Sequence, residues 1–78
     1  MKYLMLDAGQ KKALLSDRLL RYETEHYQHD LNARLLEASG DASDESVAAI
    51  TAARQAMSVI EVAHAEVESE LASLDGTD

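Results

Sequence analysis

From Ile50 onward the apolar positions keep a strict rhythm, with Ile50, Ala53, Met57, Ile60, His64, Val67, Leu71 and Leu74 separated by alternating steps of three and four. That spacing is the heptad seam of a helix packed against another helix, with Ile50, Met57, His64 and Leu71 at a and Ala53, Ile60, Val67 and Leu74 at d. Ala49, Ala56 and Ala63 repeat along one flank of the seam, and Arg54, Glu61 and Glu68 along the other. Small residues let a partner helix approach closely, and charges suit the solvated edge.

The first half of the chain carries two such series. One is Leu15, Leu19, Tyr22, His26, His29, Ala33 and Leu36; the other is Ala13, Asp17, Leu20, Thr24, Tyr27, Leu31, Arg34 and Ala38. A lane of Lys12, Glu23 and Asp30 runs between them, and Arg18, Arg21, Glu25, Gln28 and Asn32 form a polar face. Asp7 with Gln10 reads as a capping box that opens this helix. Ser39-Gly40 closes it, glycine supplying the left-handed residue that helix C-termini favour. Ser43 or Asp44 can cap the second helix, whose first acids suit its positive end.

These signals predict an all-α fold, an antiparallel two-helix hairpin, in a single domain over 1–78. Helix 1 is expected over about 7–38, the turn over 39–43 and helix 2 over about 44–74, with the end beyond Leu74 frayed. Each helix is roughly 45 Å long from the standard rise, so a turn of about five residues folds the two back on each other.

A hairpin partner covers only one of the two seams on helix 1. The other leaves either Leu20, Tyr27, Leu31 and Leu35, or the set Leu15, Leu19 and Tyr22, facing water, and apolar stripes of that length mark interfaces. The expectation is therefore a homodimer, two hairpins forming an antiparallel four-helix bundle or coiled coil; were its two-fold axis to cross near residues 23 and 59, His26 of one subunit would come within a turn of the partner's His64.

Composition supports this picture. The 78 residues include no Cys and no Pro, so neither disulfides nor a thiolate metal site can supplement a core of this size. A net charge of −8 disfavours nucleic acid and anionic membrane as partners. The apolar run in Met1–Leu6 is too short for a leader or a membrane span, so a cytoplasmic location is expected.

The candidate chemistry lies in a repeated spacing, Glu23-x-x-His26 in the first half and Glu61-x-x-His64 in the second. Residues three apart on a helix face the same way and can ligate one ion together. On these four residues the chain resembles ferritin-like helical bundles, including the half-size encapsulated ferritins whose sites form when two hairpins dimerise. The resemblance implies iron or another transition metal and a ferroxidase-like activity. Such centres need further inward carboxylates, for which Asp17 and Asp30 are the candidates.

A turn centred on Asp41 sets His64 beside Arg18 and His26 beside Ala56, which separates the two motifs by about 12 Å along the axis. On that register the histidines are expected to be structural, His64 packing at the seam edge and reaching Glu61 or Glu68, with His26 and His29 partly buried at the dimer seam. No Cys nucleophile or Gly-rich phosphate loop is present, and Ser16, Ser58 and Ser69 are scattered. The expected function is thus a small acidic, non-enzymatic interaction or scaffolding module without a cofactor, working as a homodimer and open to a protein partner. Metal binding through Glu23, His26, Glu61 and His64 is the alternative.

Overall fold

A computed structural model describes residues 6–75, in which the chain forms two helices, α1 (Ala8–Ala38) and α2 (Asp44–Asp75), packed against each other as a hairpin. The reading of the N-terminal run as too short for a leader falls on residues almost wholly outside this range. So does the frayed end beyond Leu74, apart from Asp75, which is still helical.

The caps explain the boundaries. Asp7 Oδ1 accepts from the Gln10 backbone N–H at 2.8 Å while the Gln10 side chain accepts from the Asp7 N–H at 3.0 Å, so two of the unpaired first-turn donors are satisfied. At the other end Ser39 N–H donates to Leu35 O and Gly40 N–H to Glu37 O, and Gly40 adopts φ +73°. Asp41 Oδ1 then accepts from Ser43 N–H at 2.9 Å, and Ser43 Oγ accepts from Ser46 N–H at 3.2 Å. Ser43 is therefore the cap of α2.

The burial pattern decides which seam of α1 meets α2. Leu15, Leu19, Tyr22, His26, His29 and Leu36 are half-buried and Ala33 is fully buried, and they face the complete a/d series of α2, from Ile50 to Leu74, which is half-buried or buried throughout. The second series of α1 stays largely in solvent. The body measures 53 × 25 × 14 Å, one helix thick, with a radius of gyration of 17.4 Å. A compact chain of this length would have about 11–12 Å. Among the described residues only Ala33, Ala53 and Ser46 are buried, and no large side chain is fully so. The interior of the hairpin is a single seam. No helix among the described residues is long and apolar enough to cross a membrane.

The register differs from the expectation. His26 meets Glu61 rather than Ala56, and His64 meets Glu23 rather than Arg18, an offset of five positions in both cases. Helical side chains lean toward their N-terminus, which in an antiparallel pair moves the meeting point by about two positions.

Candidate functional site

The offset register gathers the two Glu-x-x-His motifs that the tighter turn would have separated. The histidine of each motif bonds the glutamate of the other: His26 Nε2 lies 2.8 Å from Glu61 Oε2, and His64 Nε2 lies 2.9 Å from Glu23 Oε2. The expectation that the motifs stand too far apart within one hairpin is overturned. One groove of about 310 Å³ is lined by all four residues together with Tyr22, Ile60, Ala65 and Glu68.

His64 is held on both sides, since its Nδ1 also lies 3.2 Å from Glu68 Oε1, one turn along α2. A neutral imidazole can donate from only one nitrogen, so two carboxylates on two nitrogens favour the doubly protonated ring. The carboxylate of Glu23, with Glu68 adding to it, accordingly raises the His64 pKa above its ordinary 6.5 against the opposing effect of burial. The expected reach of His64 toward Glu68 is found; Glu61 instead goes to His26.

The cluster belongs to a longer polar edge. Lys12 Nζ reaches Asp75 Oδ1 at 2.7 Å near the open end. Toward the turn, Arg54 Nη1 donates to Asp30 Oδ1 at 2.9 Å and its Nη2 to Glu37 Oε1 at 2.7 Å, while Arg34 Nε donates to Asp30 Oδ2 at 3.0 Å. The hydrogen bond from Arg54 holds Asp30 below its ordinary pKa, and Asp30 and Glu37 raise that of Arg54. The lane Lys12–Glu23–Asp30 on α1 and the lane Arg54–Glu61–Glu68 on α2 thus flank one polar edge, with Asp30 on Arg54 and with Glu23 and Glu61 each on a histidine of the opposite helix.

The further carboxylates expected for a metal centre lie elsewhere. Among the described residues no three of His, Cys, Asp and Glu are gathered so that they could hold an ion. Asp30 is occupied by two guanidinium groups, and Asp17 lies exposed on the other series of α1. The resemblance to ferritin-like bundles rests on the four motif residues alone.

The remaining candidate surface is the outward series of α1. Leu14, Leu20, Tyr27 and Leu35 are 59–61% exposed, whereas Leu31 is half-buried. Leu15, Leu19 and Tyr22, the other expected interface set, lie in the seam against α2. No protein-family model, curated protein or solved structure matches the chain.

Proposed function

We propose that this chain is a non-enzymatic interaction module whose working form is a homodimer of hairpins, with the outer face of α1 as the contact surface. The observation that carries the reading is the exposure of Leu14, Leu20, Tyr27 and Leu35 on one helix whose hairpin buries no large side chain completely among the described residues. A hairpin this thin forgoes most of the apolar burial that stabilises a chain of its size, and a second copy is the common remedy when cysteines are absent. The net charge of −8 leaves the dimer an acidic exterior suited to a basic protein partner. The test is the mass of the full chain by light scattering at tens of micromolar. Twice the chain mass supports the reading, and a chain mass that persists at that concentration overturns it.

A second reading, a transition-metal site on Glu23, His26, Glu61 and His64, draws support from the crosswise bonds that bring these residues to one groove. It requires His64 to give up a proton and at least one carboxylate to turn inward. Metal analysis of protein purified without chelator or His tag checks it: iron, manganese or zinc near one ion per chain, lost in His26→Ala, would favour it over the first reading.

A further inference from the structure

The outward series of α1 reads the same in both directions. Counted from a point between Glu25 and His26, Thr24 and Tyr27 are equally distant, as are Leu20 and Leu31, Asp17 and Arg34, and Ala13 and Ala38. We propose that the occupant of this face is the α1 of a second copy, lying antiparallel across a two-fold axis at that point. This rests on the dimer reading above and supplies its partner element, orientation and register.

Four features of the molecule converge on that arrangement. An isologous contact places residue i against residue j and j against i, so the central layers become Thr24 on Tyr27 of the second copy and the reverse, the next layers Leu20 on Leu31, and the outermost Ala13 on Ala38. Asp17 then meets Arg34 twice, at symmetric positions, with opposite charge. Both residues are exposed in the hairpin, and Arg34 already has its guanidinium directed at Asp30 one turn back. Parallel pairing would instead set Asp17 on Asp17 and Arg34 on Arg34, so the charges select the antiparallel form.

The flanks follow. On one side the register sets Leu14 opposite Leu35, which brings in the last of the α1 side chains that stand large, apolar and exposed. On the other side it brings Glu23 toward Asp30, a like-charge approach that α2 has already offset: Glu23 is bonded to His64, and Asp30 to Arg54. The polar edge within each hairpin therefore conditions the surface that two hairpins share. Because the outward series lies roughly 150° around α1 from the α2 seam at 3.6 residues per turn, the two α1 helices occupy the middle and the two α2 helices the outside.

The experiment is a charge-swap mixture of full-length chains. Asp17→Arg alone and Arg34→Asp alone each replace two attractions by two repulsions, and each should weaken self-association about tenfold or more in sedimentation equilibrium at low salt. Mixed one to one, they should form a heterodimer of near wild-type affinity. In that pairing the two introduced charges face each other across the axis, and the unchanged Asp17 of one chain faces the unchanged Arg34 of the other. Far-UV circular dichroism of each variant checks that the hairpin stays helical, and recovery on mixing cannot come from a chain that failed to fold. A dimeric wild type whose single variants dimerise undiminished, or whose mixture shows no recovery, overturns this register and leaves the dimer reading standing. A monomeric wild type overturns both.

Discussion

His64 occupies an a position of a helical seam, where an aliphatic side chain would pack better, and what it returns depends on its charge. With Glu23 on one nitrogen and Glu68 on the other, and with the His26–Glu61 pair lining the same groove, the imidazolium is favoured in the folded hairpin. Its folded pKa is raised, so the stabilisation is fully present below the ordinary value of 6.5 and is lost as pH climbs through the folded value. The unfolding midpoint should accordingly fall between about pH 6 and pH 8, with His64→Leu removing most of that slope. At pH 8 the same variant should be as stable as the wild type or more so, since a neutral histidine at a gives way to a packed leucine. A wild-type midpoint flat across this range, by thermal circular dichroism, would rule the linkage out. Ser46 makes a second prediction. The residue is 6% exposed and its Oγ has no partner among the described residues, so Ser46→Ala removes an unsatisfied hydroxyl and adds a better helix former. A gain of about 0.5–1.5 kcal/mol in chemical denaturation is expected.

At the scale of the helices, local chemistry was legible and relative placement was not. The Asp7–Gln10 box, the stop at Gly40, a cap of α2 at Ser43 or Asp44, which the structure resolves to Ser43, and the whole a/d series of α2 follow from the residue types and their spacing, because each depends only on atoms within a turn or two. Which series of α1 turns inward depends on the partner helix, and both series have the same step pattern. The His–Glu pairing depended on register, which is set by the course of a five-residue turn and the lean of the side chains, and an error of five positions hid it. That turn hangs on Gly40 at φ +73°, with nothing within 4 Å of where a Cβ would stand. Gly40→Ala therefore meets no clash and incurs only the left-handed backbone penalty, about 1–2 kcal/mol. Loss of that size with the helical signal of the folded protein unchanged is the expected outcome. A larger loss would show that Gly40 does more for the hairpin than adopt the left-handed conformation.

For the molecule as a whole, the decisive quantity is how its stability responds to dilution. A hairpin 14 Å thick leaves α1 half-used, with one seam on α2 and the other lined by Leu20, Tyr27 and Leu35 in solvent. If two copies share that second seam, folding and association are linked by mass action, and a tenfold dilution removes about 1.4 kcal/mol from the folded dimer. For a dimer of this size that corresponds to a midpoint lower by about 3–6 °C. Leu31→Asp is the matching perturbation, because it sets a carboxylate against the apolar side chain of Leu20 of the second copy, in the layer next to the centre. In the isolated hairpin the same residue is only half-buried, so the variant should remain helical yet melt at one temperature whatever its concentration. Scans of both proteins over a roughly hundredfold concentration range check this. A wild-type midpoint indifferent to dilution, or a Leu31→Asp midpoint that still follows it, would show that the outer face of α1 does not hold two chains together.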